Sequence, residues 1–418
     1  MINVTKVKKC RVCNNTDLVP VIDLGSQYLS SVFPENLAYR KKAEKYPLDL
    51  VLCKKTKDTC GALQLAHFIN LDSMYELYPY SSSTNSSMVG ILKDVVDSAI
   101  PLVQLERDDL ILDIGGNDGT LLSFFAKEKL DLLTIDPAQK IKQVFKSNRY
   151  RYICDFFNKK TFEKATNKKA KLIFSIAMFY HLSDPISFSK EVRSALADDG
   201  VWVIQMAYLP TMITTNMYDN IVHEHAGYYT ATNMVWIMER AGLEVFDVML
   251  NDVYGGSFRI FVKKTSNTKL KTTKRLRKIL DDEKKQKLTN TKTYTDFMNR
   301  IEKTKTDLKK LIAKIKKQNK SIWIYGASTK GSTILQFCDI TNKDIVAAAD
   351  SNPFKFGKYI IGADIPIKDE KALRKAKPDY LLALPYSFVD GFISREKELV
   401  KNGTKFIVPL PRVKVIPK

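Results

Sequence analysis

The 418-residue chain predicts an α/β protein in three parts. These are a small N-terminal metal-binding region, a central doubly wound sheet of Rossmann-like type, and a second Rossmann-like unit at the C-terminus. Three observations carry the prediction. Four of the six cysteines fall early, in two pairs, "CRVC" and "CKKTKDTC". From about residue 85 to 262, apolar strand-like runs alternate with helical patterns. Strand, glycine turn and helix then recur in "SIWIYGASTKGSTILQF". The divisions expected are 1–80, 81–263, a basic helical linker over 264–320, and 321–418.

Composition narrows the class. Apolar residues make up 44% of the chain, a globular proportion. No apolar run approaches the roughly 20 residues that span a bilayer. The start, "MINVTKVKKCRVCNN", has no apolar core of the kind that directs secretion. The expectation is a cytoplasmic protein with no membrane partner. A formal charge of +21 raises nucleic acid as a ligand. Much of that excess lies in 264–320, where Ile279, Phe297, Ile301, Leu308, Leu311 and Ile315 recur at broadly helical spacing. The lysines are most simply the solvated face of one or two amphipathic helices, so no nucleic-acid partner is expected.

Cys10, Cys13, Cys53 and Cys60 suit a tetrahedral zinc ion, which in a reducing compartment is favoured over disulfides. Four sulfur ligands leave no position for water, so the zinc would be structural. The competing view is two unrelated pairs of free thiols.

In the central part, "DLILDIGGNDGTLLSFFAKE" is an apolar strand, a glycine-rich turn and a helix start. Gly115, Gly116 and Gly119 permit close backbone approach to a ligand. "LDLLTIDP" ends in Asp136, placed to bind a ribose diol. The D-x-G-x-x-x-G spacing departs from the dinucleotide G-x-G-x-x-G and matches the S-adenosylmethionine turn of class I methyltransferases, with Asp113, the glycines and Asn117 at the amino-acid end. A nicotinamide cofactor is the alternative. Asp155 and Phe156, after the third strand, are candidates to clasp adenine, and "KLIFSIAMFYHLSDP" delivers His181 to the same rim. In the C-terminal part, Tyr325 and Lys330 flank a turn that can bind the phosphates of a substrate nucleotide or serve architecture alone.

Two of only four histidines bracket a glutamate in "YDNIVHEHAGYY". Histidine is the side chain whose charge changes most readily near neutral pH. A zincin-type metal site needs its histidines four apart on a helix, and here they are two apart, so proton transfer is favoured over metal or simple packing.

Taken together, "CRVC", "VIDLGSQYLSSVFP", "YPYSSSTNSSM", "LDIGGNDGTLL", "HEH", "GLEVFDV", "YGGSFRIFV" and "YGASTKG", in this order, resemble the nucleotide-sugar C-methyltransferases of deoxysugar pathways. The resemblance spans nearly the whole chain. It implies adenosylmethionine in the central domain and a sugar nucleotide, thymidine diphosphate-linked, held by the flanking ones. The implied reaction removes a proton beside a ketone and methylates the resulting carbon, at C3. On that basis His225 matches the base and Glu224 its neighbour, while His181 and Tyr80 line the sugar pocket. His223, Tyr78, Lys330 and Tyr325 are further substrate contacts. Val222 stands where the family has tyrosine, Gln205 where an acid is common, and Tyr254 where histidine is frequent. Rival functions are sugar O- or N-methylation, a zinc-ribbon nucleic-acid binder, and a nucleotide-sugar binder that has lost catalysis.

Overall fold

The computed structural model describes residues 4–69, 81–84, 86–125, 129–145, 147 and 149–417. Tyr78 and Tyr80, both expected in the sugar pocket, lie outside the described residues.

The N-terminal region contains β1 (Val4–Lys6), β2 (Leu18–Gln27), β3 (Tyr46–Cys53), β4 (Leu63–Leu65) and β5 (His67–Ile69). β1 and β5 form a two-stranded ribbon, and β2, β3 and β4 an antiparallel sheet. Cys10 and Cys13 precede β2, Cys53 ends β3 and Cys60 precedes β4, so the two knuckles meet at one end of the sheet.

The central sheet begins with β6 (Leu110–Ile114), β7 (Asp131–Ile135), β8 (Arg151–Ile153), β9 (Ala170–Ile176) and β10 (Leu196–Ala207). All five run parallel, and β6, "LILDI", is buried along its whole length. Helices on both faces of a parallel sheet demand such unbroken apolar runs. β11 (Gly227–Tyr228) leaves this sheet and pairs with β4 of the N-terminal one. β12 (Leu243–Asn251) and β13 (Ser257–Lys264) return, giving the order β8-β7-β6-β9-β10-β13-β12 with β13 antiparallel to both neighbours. This is the class I methyltransferase sheet.

The C-terminal unit holds β14 (Ile322–Tyr325), β15 (Ala347–Asp350), β16 (Tyr359–Ile360), β17 (Ile365–Asp369), β18 (Tyr380–Ala383), β19 (Lys405–Val408) and β20 (Lys414–Ile416). Its order is β16-β17-β15-β14-β18-β19-β20, parallel except at the two edges.

The basic stretch forms two helices with separate attachments. Lys274–Lys285 buries Leu276 and Ile279 in the core of the central domain. Thr291–Lys317 buries Tyr294, Phe297, Ile301, Leu308, Ile312 and Ile315 in a core shared by the N-terminal sheet and the C-terminal unit. Each fully buried side chain of this kind contributes about 1.5–3 kcal/mol. The opposite face carries lysines in solvent, several paired with Asp one turn away, as in Lys292–Asp296 and Lys303–Asp307. The charge of this stretch is therefore a solvated helix face laid over a core that ties the N- and C-terminal parts together.

Candidate active site

The segment carrying the paired histidines is a loop between a helical turn, Tyr218–Asn220, and β11. Every part of it is anchored to a different element. The Leu65 amide donates to the Ala226 carbonyl (3.1 Å), Thr333 Oγ1 to the Ile221 carbonyl (3.2 Å) and Tyr386 Oη to Asp219 Oδ1 (3.0 Å). N-terminal, central and C-terminal parts thus meet on this one loop.

His225 is buried at the centre. Its Nδ1 lies 2.8 Å from the Asn220 carbonyl. A carbonyl oxygen only accepts, so in the neutral ring Nδ1 carries the hydrogen and Nε2 keeps its lone pair. Burial holds the imidazole well below its usual pKa, and His181 and Lys330 push the same way. The ring is therefore unprotonated at neutral pH, the form able to accept a proton. Tyr180 packs on it at 4.1 Å between centroids, and His181 stacks at 5.5 Å with planes 27° apart. Burial also lowers His181, to about 3. Lys330, from the C-terminal unit, donates to Asn220 Oδ1 and lies 5.3 Å from the centroid of the Tyr254 ring. Burial lowers its pKa, while the nearby Asp219 carboxylate acts in the opposite sense.

The other expected residues are placed differently. His223 Nε2 donates to the Tyr46 carbonyl on β3 (3.1 Å), so this ring braces the N-terminal sheet. Burial raises Glu224, with Ser31 of the N-terminal region beside it pulling the other way. Tyr325 turns its hydroxyl to Glu396 (2.9 Å) and Glu370 (3.4 Å). His223 and Tyr325, expected as substrate contacts, are thus engaged within the protein.

The second candidate region is the glycine turn after β6. Gly115 and Gly119 have φ of +69° and +74°, and a Cβ on Gly116 would sit 2.5 Å from Asp113 Oδ2. Asp113 is almost wholly buried, and burial, then Asp136 and Asp118, push it up to about 8. Asp136 accepts from the Asn117 and Ala138 amides, each at 2.8 Å. Burial would raise Asp118, but hydrogen bonds from Ser81, Thr120 and Ser83 hold it below its usual value. Among the described residues, none of these three acids forms an ion pair. An acid-lined glycine turn without cations fits a ligand bearing ammonium and sulfonium charges, as adenosylmethionine does. Asp155 and Phe156 follow β8; Asp155 accepts from the Phe156 amide (2.8 Å) and Thr161 Oγ1 (3.0 Å), and the Phe156 ring is 39% exposed.

Sequence reasoning missed the clamp on this turn: Asn117 Oδ1 accepts from the Ser82 amide (2.9 Å), and Asp118 Oδ2 from the Ser83 amide (2.8 Å). It also missed Tyr180, Asp219, Asn220 and Tyr386. Gln205 and Tyr254, the unusual residues, have partners: Gln205 Oε1 accepts from buried Arg259 (2.9 Å), and the Tyr254 hydroxyl meets Met88 Sδ (3.5 Å). Nothing in the structure explains Val222, which is buried.

The four cysteine sulfurs all lie within 4.8 Å of one another. Cys10 and Cys60 are 3.4 Å apart and Cys13 and Cys53 3.5 Å. Four sulfurs each about 2.3 Å from a tetrahedral zinc stand about 3.8 Å apart. The set fits structural zinc, distant in chain and role from the histidine loop.

These features define an adenosylmethionine-dependent methyltransferase. Three family models match the chain in order: a zinc binding domain over residues 10–75, a methyltransferase domain over 90–248 and a C-methyltransferase C-terminal domain over 252–411. Together the three matched stretches span most of the chain. C-methyltransferase NovU of Streptomyces niveus is 28% identical over 415 residues, covering 99% of this chain and 98% of its own. Among solved structures, mitomycin 7-O-methyltransferase MmcR aligns at 13% identity over 44% of this chain and 56% of its own, with a TM-score of 0.34. CalO1, a calicheamicin-biosynthesis methyltransferase with S-adenosylhomocysteine bound, gives 13%, 43%, 55% and 0.33. Among the described residues, no helix is long and apolar enough to cross a membrane.

Proposed function

We propose that the enzyme methylates carbon on a nucleotide-linked ketosugar, thymidine diphosphate-linked and at C3, with His225 as the base. The observation that carries this reading is the placement of His225: buried, with Nδ1 2.8 Å from the Asn220 carbonyl, so that in the neutral ring Nε2 keeps the lone pair that accepts a proton. A C–H beside a ketone gives up its proton to Nε2; the C–H pair becomes the enolate C=C, and the carbonyl π pair moves to oxygen. Carbon is then nucleophilic without any covalent help from the protein, whose task is placement. Adenosylmethionine, when bound, supplies the electrophilic methyl group. Asp113, Asn117 and the glycines would hold its amino-acid end, Asp136 its ribose, and Asp155 and Phe156 its adenine. Tyr180 and His181 pack on the imidazole and help fix its position. The motif resemblance supports the sugar, and the thiolate set suits a reducing, cytoplasmic setting.

The test is solvent exchange. In D2O, without cofactor, the purified enzyme should introduce deuterium at C3 of a thymidine diphosphate-linked 4-keto-6-deoxyhexose, and His225→Ala should abolish this. Methyl transfer to oxygen or nitrogen with no exchange at carbon would reject the proposal in favour of sugar O- or N-methylation.

A further inference from the structure

We infer that the side-chain amide of Asn220 is a catalytic hydrogen-bond donor to the substrate oxygen that becomes negatively charged when His225 takes its proton. The inference rests on the carbon-acid reading above and adds a residue to it.

Lys330 is the starting point. An ammonium group has donors only, so the Asn220 atom facing it must be the amide oxygen. That contact fixes which way the amide is turned, a choice geometry alone often leaves open. Asn220 Nδ2 then points elsewhere, and it is buried without a hydrogen-bond partner among the described residues. An orphaned buried N–H pair is costly and uncommon in a folded protein. Asn220 also helps line a cavity of about 10 Å³ with His225, Tyr180, Tyr208 and Tyr228. A volume of about 10–15 Å³ holds one water-sized atom. A sugar ring does not fit, but a single oxygen does.

One residue therefore contributes three groups in three directions. Its main-chain carbonyl fixes the His225 tautomer, and its amide oxygen is held by Lys330. Its amide N–H is left for an acceptor beside the base. In the proton transfer, the electron pair released from carbon ends on the substrate oxygen, where Asn220 Nδ2–H would meet it. Lys330, bonded to the same amide, polarises it and makes the N–H a better donor without touching substrate. Asp219, held by Tyr386, keeps a counter-charge near the buried lysine.

The experiment measures deuterium entry at C3 of the same thymidine diphosphate-linked 4-keto-6-deoxyhexose in D2O, with S-adenosylhomocysteine and no methyl donor. Asn220→Asp keeps the main-chain carbonyl and an oxygen for Lys330 but removes the N–H donor. Exchange should slow by about 10²–10³-fold, the usual effect of losing one oxyanion donor, with sugar-nucleotide affinity changed less than threefold. Lys330→Met frees the amide to rotate and should slow exchange by a smaller factor, also without loss of affinity; it serves as the second variant should Asn220→Asp not fold. Exchange at the wild-type rate in Asn220→Asp, or in a folded Lys330→Met, overturns the assignment, as does a loss that appears wholly in affinity. An absence of exchange in the wild-type enzyme would instead overturn the carbon-acid reading beneath it.

Discussion

The chain builds the same backbone device twice and loads it with different charge. After β6, Asp136 at the end of the next strand accepts from the Asn117 amide of the glycine turn (2.8 Å) and from Ala138 (2.8 Å). After β14, Asp350 accepts from the Ala327 amide (2.9 Å) and from Asn352 (2.8 Å). The two turns are near-copies in this bonding. They part company in electrostatics. Asp350 is paired with Lys355 at 3.0 Å, and that lysine also donates to the Ala327 carbonyl (2.9 Å). Asp136 shares its turn with two further acids, Asp113 and Asp118. A Rossmann-like turn is thus a neutral scaffold that its side chains convert to one use or another. The first is prepared for a cation, and the second has supplied its own.

The largest test of this difference is to remove one charge from each turn. Asp113→Asn should weaken adenosylmethionine binding by about 100-fold, since hydrogen bonds to charged groups are worth about 1.5–3 kcal/mol. Asp350→Asn should leave that affinity within about twofold, because the linked group is too far in role to couple. Isothermal titration of both variants decides it, and equal losses would erase the distinction drawn here.

A pH series sharpens the same point. Burial holds Asp113 at about 8 in the ligand-free protein. A cationic ligand stabilises the carboxylate, so binding should expel its proton. Affinity for adenosylmethionine should therefore climb as pH rises from 6 toward 8, by at most about tenfold per unit, and then level off. The ligand-free fold shows the opposite sign. An acid whose pKa is raised by folding makes the protein less stable as pH rises from its unfolded value, about 4, through 8. Both slopes should flatten in Asp113→Asn, read as proton release by calorimetry in buffers of different ionisation enthalpy.

What could be read from sequence follows the range of the interactions. The cysteine knuckles, the glycine turn after β6 and Asp136 are local patterns, so their spacing reports their geometry. His225 was legible because imidazole is scarce in this chain and clustered. The groups that tune it were not. Lys330 reaches Asn220 across 110 residues and Tyr386 reaches Asp219 across 167, with no periodicity linking either pair. Within the single stretch "YGASTKG", Lys330 enters the histidine site while Tyr325 turns to Glu396. Tyr325 ends the strand and Lys330 opens the helix after the turn, so their spacing does not say which faces the crevice; only the surrounding packing does. His223 and His225 differ for the same reason: the loop is a turn, and each ring finds a different carbonyl.

The smallest effect separates the space above the two turns. Gly115 and Gly326 share a left-handed backbone, φ +69° and +83°, so adding a methyl group strains both by about 1–2 kcal/mol. Their surroundings differ. A Cβ on Gly115 would meet Met178 at 3.5 Å, ordinary contact, whereas on Gly326 it would meet Pro385 Cγ at 2.6 Å. Proline cannot swing aside, so overpacking should add about 1–3 kcal/mol at the second site alone. Urea denaturation should therefore find Gly326→Ala the less stable variant, with Gly115→Ala paying backbone strain only. Equal destabilisation would mean that the first turn is as closely packed as the second and has no more room for a ligand to approach its backbone.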